Sequence, residues 1–211
     1  MAEKYVGIDL NEKFAMISYY TKGMSEPGTF SMVTGSEAYQ IPVCVSRKKG
    51  GWLYGEEARK NAKEEGGCCV DGLLKKALAA EPVEMEEDIY DSSELLFIFL
   101  KKLLGLWQQG GGELWPDKLA ITVENMNLEH RKLLGLFAEW LKLPSERLIL
   151  LDDRESFYYY ALSQPAELCA HDAALYYYTT GKLFCWKLSH DRRTMPQVVT
   201  IEETRYDAIL K

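Results

Sequence analysis

The first twenty residues alternate two short apolar runs with one polar turn. Residues 5–10 are mainly apolar, residues 11–13 are polar, and residues 14–20 are again mainly apolar. Two β-compatible runs separated by a few polar residues predict a β-hairpin. Residues 29–33 follow a glycine-bounded turn and are predicted to form a third antiparallel strand.

The next segment, residues 34–91, is predicted to be an insertion into the fold. It contains a short strand over residues 43–46, a Gly-Gly turn, and a return over residues 52–54. A helix is predicted over residues 56–65. We therefore expect a small inserted subdomain before the main fold resumes.

The remaining pattern alternates helices and strands. Residues 92–109 are apolar around most of a helical circumference, which predicts a long buried helix. Apolar strands are predicted over residues 119–123 and 148–151, with a helix capped by Asn127 between them and another over residues 153–162. One face of the middle helix carries Leu133, Phe137, Trp140 and Leu141.

This order of elements predicts the fold class. Strands that are joined through a helix pair in parallel by right-handed crossovers, whereas the opening hairpin is antiparallel. We expect an α/β, ribonuclease-H-like lobe over residues 1–172, with a mixed five-stranded sheet, flanking helices and the inserted subdomain over about residues 34–91.

A weak internal repeat predicts a second lobe. Residues 174–188 read ALYYYTTGKLFCWKL and superpose without a gap on residues 5–19, YVGIDLNEKFAMISY. Residues 198–204 could supply a third strand. Since the chain then ends, we expect residues 173–211 to form only the opening antiparallel strands of a truncated second lobe.

Charge and composition narrow the function. The net charge is −7, and residues 81–94 contain seven acids and no Lys or Arg. Binding to nucleic acid is not expected, because it needs a concentrated positive surface. The five cysteines contain no C-x-x-C pair, so no structural zinc site is expected. The start of the chain has no signal-peptide pattern and no run of apolar residues is long enough to span a membrane, so we expect a cytoplasmic protein.

Five short motifs resemble those of the actin-like ATPase superfamily, which includes actin, the sugar kinases and the nucleotide-binding domains of heat-shock chaperones. The likeness is greatest to the chaperone branch and covers roughly residues 4 to 190. In chain order the motifs are V-G-I-D-L at 6–10, Y-Q-I-P-V at 39–43, Y-G-E-E-A at 54–58, I-T-V with Asn127 and Arg131 at 121–131, and the segment 147–162.

The resemblance implies a set of candidate site residues. Asp9 would hold water around the Mg²⁺ of a bound nucleotide; alternatively, it accepts N–H groups of its own hairpin turn. Asn11, Glu12 and Lys13 occupy the phosphate-binding turn, where the family has a glycine and small hydroxylated residues. Asp153 would position the attacking water, or else it caps the helix that begins there.

The second phosphate motif of the family falls on Thr179, Thr180 and Gly181, with Tyr178 where the repeat aligns Asp9. These residues could offer hydroxyl groups to an anion, or they simply form a tight hairpin turn. Because both turns are degenerate, we expect a non-catalytic protein-interaction or assembly module.

The alternatives are an ATP-binding ATPase, if a longer protein containing this chain is active, and a small-molecule kinase. We expect no cofactor in this chain, and ATP with Mg²⁺ only in the active case. The expected partner is a protein or the missing second lobe, and the strands after residue 173 could also form a homodimer.

Overall fold

The computed structural model describes residues 2–33, 35–64, 66–85, 87–109, 115–163, 173–179, 182–191 and 198–207. The chain forms two compact units, Met1–Ser156 and Phe157–Lys211, and each is described by itself.

The first unit is a mixed α/β structure. Its strands are β1 (Lys4–Leu10), β2 (Phe14–Thr21), β3 (Gly28–Thr29), β4 (Ile41–Pro42), β5 (Cys44–Lys48), β6 (Gly51–Tyr54), β7 (Val70–Asp71), β8 (Val83–Met85), β9 (Asp88–Tyr90), β10 (Lys118–Val123) and β11 (Leu148–Asp152). Its helices are α1 (Glu56–Asn61), α2 (Leu73–Leu78), α3 (Ser92–Gln109) and α4 (Leu128–Trp140), and α5 (Asp153–Ser163) begins at its end.

The main sheet is six-stranded and mixed, with the order β11-β10-β1-β2-β3 and β4 paired to β2. Strand β1 pairs in parallel with β10, which pairs in parallel with β11, whereas β2 is antiparallel to β1. The alternation along β1 buries Val6, Ile8 and Leu10 in the core. The predicted hairpin and the mixed sheet are therefore confirmed, and the sheet contains one more strand than predicted.

The third strand is shorter than predicted. Only Gly28–Thr29 pairs with β2, and residues 30–33 are not a strand. A Cβ at Gly28 would lie 2.6 Å from the Tyr19 ring, so a larger residue here would displace that ring. The N–H of Phe30 still donates to Ile17, and Met32 then bonds locally to Ala38. The chain thus leaves the sheet earlier than its apolar pattern suggested.

The central helix α3 has the predicted bounds. Leu96, Phe99, Leu100 and Leu103 are fully buried, and they belong to a core shared with β1, β10 and α4. Asp91 caps the helix, because its carboxylate accepts the N–H of Ser93 at 2.7 Å. The burial follows from the nearly continuous apolar circumference of this helix.

Residues of the insertion contribute to the same core. Val43, Val45, Leu73 and Met85 belong to one cluster with the residues of α3 and the main sheet. The insertion also contains its own three-stranded sheet, in the order β6-β5-β7, and the two-stranded ribbon β8-β9. The described acidic residues between positions 81 and 94 lie within or next to the β8-β9 ribbon. The apolar side chains Val83 and Met85 of this ribbon are buried.

The second unit contains the three strands predicted from the repeat. They are β12 (Ala173–Thr179), β13 (Lys182–Asp191) and β14 (Val198–Asp207), which form an antiparallel sheet in that order. The lobe boundary is predicted between residues 172 and 173, and residues 164–172 lie outside the described residues. It stays a prediction.

Candidate functional site

Three parallel strands bring the predicted residues of the first unit to one edge of the sheet. Asp9 is opposite Thr122 across the β1–β10 pair, and Val123 is opposite Asp152 across the β10–β11 pair. The carboxyl ends of β1, β10 and β11 therefore meet at the same edge. In open α/β sheets this edge is the usual place for ligands.

The turn between β1 and β2 is closed by one side chain. The Oδ1 atom of Asn11 accepts the N–H of Lys13 at 2.9 Å and the N–H of Phe14 at 2.8 Å. The backbone N–H of Asn11 also donates to the Phe14 carbonyl at 3.0 Å. An asparagine that accepts the N–H groups two and three residues later forms a local turn of its own. The side chains of Glu12 and Lys13 are exposed at the tip of this turn.

The same turn is also held from the insertion. The N–H of Val43 donates to the carbonyl of Lys13 at 2.9 Å. The guanidinium of Arg59 lies 5.7 Å from the centre of the Phe14 ring, within the range of a cation–π contact. The turn is therefore fixed on its backbone and on the ring that follows it.

Asp9 points away from the core, and its carboxylate has one neighbouring hydroxyl. The Oγ1 of Thr122 donates to Asp9 Oδ1 at 3.2 Å. Desolvation by the surrounding protein raises the pKa of Asp9, and the Thr122 hydrogen bond partly offsets this shift. The alternative in which Asp9 accepts the turn N–H groups is wrong, because Asn11 accepts them.

The start of α5 is organised by Asp152. Its Oδ1 accepts the backbone N–H of Arg154 at 3.1 Å and Nε at 2.7 Å, while its Oδ2 accepts the N–H of Met126 at 3.0 Å. Desolvation acts to raise the pKa of Asp152, but the hydrogen bonds and the charge of Arg154 outweigh it, so this pKa lies below its ordinary value. Asp152 thus caps the helix and ties it to the loop after β10.

Asp153 is the first residue of α5, and its Oδ1 accepts the N–H of Arg154 at 2.8 Å. Asp152 and Asp153 therefore share the Arg154 N–H at the start of α5. Sequence reasoning missed this arrangement. The signal that could have found it is the D-x-R spacing, which allows a carboxylate before a helix to bind both the N–H and the guanidinium of the second residue after it.

The second predicted turn lies partly outside the described residues. Thr179 ends β12 opposite Lys182, the first residue of β13, whereas Thr180 and Gly181 are outside the described part of the chain. Tyr178 pairs with Leu183 across the antiparallel strands β12 and β13, at the position that the repeat aligns with Asp9.

In the part of the chain that the structure describes, no group of three or more His, Cys, Asp or Glu side chains could hold a metal ion. The described residues also contain no helix that is long and apolar enough to cross a membrane. Near the first turn, the fold thus brings Asp9 and Thr122 together. The Asn11 side chain accepts the backbone N–H groups of Lys13 and Phe14.

Comparison with known proteins gives one family. The family model described as "Family of unknown function (DUF5716) C-terminal" matches residues 26–211. The turn between β1 and β2 lies before the matched residues. No curated protein matches the chain.

Proposed function

The chain belongs to the DUF5716 C-terminal family, whose function is unknown, and we propose that it is a divergent actin-like, chaperone-like ATPase domain. In this proposal the domain has lost its phosphate-binding turn. It acts as a non-catalytic protein-interaction or assembly module.

The strand topology supports the ribonuclease-H-like part of this proposal. The strand β1 is central, with the antiparallel β2 and β3 on one side and the parallel β10 and β11 on the other. The helix α4 connects the parallel neighbours β10 and β11, and such crossovers are right-handed in most proteins. A hairpin followed by parallel units is the arrangement expected for an actin-like lobe.

The observation that carries the functional proposal is the closed turn at Asn11. A phosphate-binding turn works by presenting backbone N–H groups to phosphate oxygens. In this chain the N–H groups of Lys13 and Phe14 already donate to Asn11 Oδ1 at 2.9 and 2.8 Å. A phosphate could use them only after both hydrogen bonds had broken.

The energetic effect can be compared with the affinity of a nucleotide. Breaking two neutral hydrogen bonds opposes binding by about 1–3 kcal/mol in total. The carboxylate of Glu12 at the same turn adds about 1 kcal/mol of repulsion for a phosphate charge about 4 Å away in water. Because each 1.4 kcal/mol is tenfold, a micromolar site would weaken to about 30 µM to 1 mM.

The alternative is an ATPase that is active in a longer protein. In that case Asp9 would organise Mg²⁺ through water and Asp153 would position the attacking water. The hydrogen bond between Asp9 and Thr122 is compatible with this alternative, since it leaves the carboxylate at the ligand-bearing edge of the sheet. The state of the turn at Asn11 favours the non-catalytic function.

Calorimetric titration with Mg-ATP tests the proposal. We expect no saturating heat below about 30 µM nucleotide, and the same flat titration in that range for the Asp9→Ala variant. A matched control is titration with Mg-GTP, which separates adenine recognition from binding of the phosphates alone. A saturating heat in the low micromolar range that Asp9→Ala abolishes would sink the non-catalytic proposal and favour the ATPase.

The second unit supports the protein-interaction part. Among the described residues, β12 and β14 each have a neighbour on only one side within the sheet. Unpaired strand edges favour association with another chain. Tyr176 on β12 is also 65% exposed. We propose that this unit pairs with a second copy or with a protein partner.

Sedimentation equilibrium over a range of concentrations tests this pairing. We expect the measured mass to rise with concentration towards that of a dimer. Thr204→Pro in β14 should abolish the dimer, since proline cannot donate to a strand pair. Thr29→Pro in the first unit is the matched control and should leave the dimer in place. A monomer at every concentration would contradict pairing between copies.

A further inference from the structure

Two cysteines of the insertion lie against each other. Cys44 is the first residue of β5, and Cys69 comes directly before β7, which pairs antiparallel with β5. The register sets Cys44 opposite Asp71 and Val45 opposite Val70, so Cys69 and Cys44 lie on the same side of the pair. The two thiols are close enough for each to shift the pKa of the other.

The two thiols differ in access. Cys44 is 1% exposed, whereas Cys69 is partly exposed and lines a cavity of about 450 Å³. The cavity wall also carries Asp71, Lys76 and Glu81. A small molecule can therefore reach Cys69 from the cavity, while Cys44 lies behind it in the protein.

The loop that carries Cys69 is held close to the protein by a glycine. A Cβ at Gly67 would lie 1.9 Å from the carbonyl oxygen of Asn61, and the N–H of Gly67 donates to Glu64 at 3.0 Å. Only glycine fits such an approach. The packing of this loop thus determines where Cys69 meets β5.

The local charges and hydrogen bonds separate the reactivities of the two thiols. The neighbouring Cys44 thiol lowers the pKa of Cys69, and the Arg59 charge acts in the same direction; desolvation and Asp71 oppose them. The neighbouring Cys69 thiol and desolvation raise the pKa of Cys44. The Cys44 Sγ also lies 3.4 Å from the Gly55 carbonyl oxygen. An accessible thiol with a lowered pKa beside a buried thiol is the usual arrangement of a redox-active pair.

We propose that Cys69 and Cys44 form a dithiol redox site, at which a peroxide oxidises Cys69 and Cys44 then forms a disulfide with it. The Cys69 thiolate attacks the O–O bond, so that an S–O bond forms and the leaving oxygen takes a proton to become water. The Cys44 sulfur next attacks the Cys69 sulfur, and the S–O bond breaks as hydroxide leaves with the Cys44 proton as a second water. Two thiols are oxidised by two electrons, and one peroxide is reduced.

Peptide mapping after oxidation tests the site. The full chain is treated with one equivalent of hydrogen peroxide, alkylated and digested with trypsin. The expected product is a disulfide between the peptides covering residues 23–47 and 64–75, which contain Cys44 and the adjacent pair Cys68 and Cys69. The neighbouring Cys68 provides the matched control: Cys68→Ser should keep the disulfide and Cys69→Ser should lose it.

A second measurement uses the unmodified chain, in which iodoacetamide at pH 7 should alkylate Cys69 faster than Cys68. Cys44→Ala, with folding checked by circular dichroism, should slow this reaction of Cys69 because it removes the neighbouring thiol that lowers the Cys69 pKa. A disulfide that survives in Cys69→Ser, or equal alkylation rates for Cys68 and Cys69 in the unmodified chain, would overturn the proposal.

Discussion

The hydrogen bonds of the Asn11 side chain give the sharpest prediction about the first turn. Asn11→Ala removes the acceptor of two backbone N–H groups, which belong to Lys13 and Phe14. A neutral hydrogen bond contributes about 0.5–1.5 kcal/mol, so the sum is about 1–3 kcal/mol. The Lys13 N–H is exposed and can bond to water instead, so most of the loss comes from the partly buried Phe14 bond. We therefore expect a total loss of about 1–2 kcal/mol in the free energy of unfolding.

Urea denaturation followed by far-UV circular dichroism measures this loss. The matched control is Glu12→Ala, which changes an exposed side chain of the same turn and should alter the free energy of unfolding by less than about 0.5 kcal/mol. Asn11→Asp keeps an acceptor oxygen and should retain most of the stability. In thermal denaturation, the Asn11→Ala loss corresponds to roughly 2–8 °C.

Unfolding of Asn11→Ala and Glu12→Ala at the same urea concentration would contradict this prediction. That result would mean that the turn does not depend on the Asn11 acceptor. The backbone donors would then be open to a ligand, contrary to the proposed loss of phosphate binding.

Three further predictions concern stability. In urea denaturation, Gly67→Ala should destabilise the protein by about 1–3 kcal/mol, because its Cβ would overlap a carbonyl oxygen. Gly105→Ala in α3 is the control: its Cβ meets no atom within 4 Å, and it should stabilise the protein by up to about 1 kcal/mol. Phe137→Ala should cost about 3–5 kcal/mol and the adjacent Leu136→Ala less than about 0.5, since the first side chain is 0% and the second 54% exposed. Asp152 has a lowered pKa in the folded chain, so its stabilising contribution is present above about pH 4 and is lost as the pH falls. Urea denaturation at several pH values measures the stability difference between the unmodified chain and Asp152→Asn. This difference should shrink below about pH 4.

Each of these three has a clear contrary result. Equal stabilities of the two glycine variants would mean that the loop at residue 67 relaxes freely. Equal effects of the two α4 variants would mean that the helix packs with another face. A stability difference for Asp152→Asn that stays constant down to about pH 2 would mean that the carboxylate does not carry the interaction with Arg154.

The main elements of the first unit could be predicted from the sequence because their periodicity is strong. The buried α3 has an almost continuous apolar circumference. Along β1, buried side chains alternate with side chains that are more exposed. The Asn127 cap was predicted correctly, since its side chain accepts the N–H of His130 at 3.0 Å. Local patterns of this kind depend on residues that are close in sequence.

What could not be predicted depends on contacts between distant residues. Trp140 was expected on the buried face of α4, but it is 41% exposed and the Lys101 ammonium lies 5.4 Å from its ring centre. The length of β3 depends on where the chain turns back after Phe30, and no local pattern determines that turn. The contact between Cys44 and Cys69 depends on the pairing of β5 with β7, which joins segments that are far apart along the chain.

At the candidate site, residue types were easier to predict than their partners. The sequence placed Asp9 at the end of a strand, and the parallel pairing with β10 then determines that Thr122 is its neighbour. The closure of the turn by Asn11 follows a local rule for asparagine, so it was accessible from the sequence. The resemblance showed that the glycine of the phosphate-binding turn is missing. It did not show that Asn11 Oδ1 accepts the N–H groups that would otherwise bind a phosphate.

Following the backbone amides of Lys13 and Phe14 by ¹⁵N NMR during titration with Mg-ATP tests most directly whether the first turn is closed to phosphate. We predict that neither amide resonance approaches saturation below about 30 µM nucleotide, because both N–H groups remain bound to Asn11. Saturating shifts of these two amides at low micromolar Mg-ATP, absent in Asp9→Ala, would show that the turn opens to bind phosphate and would contradict the account.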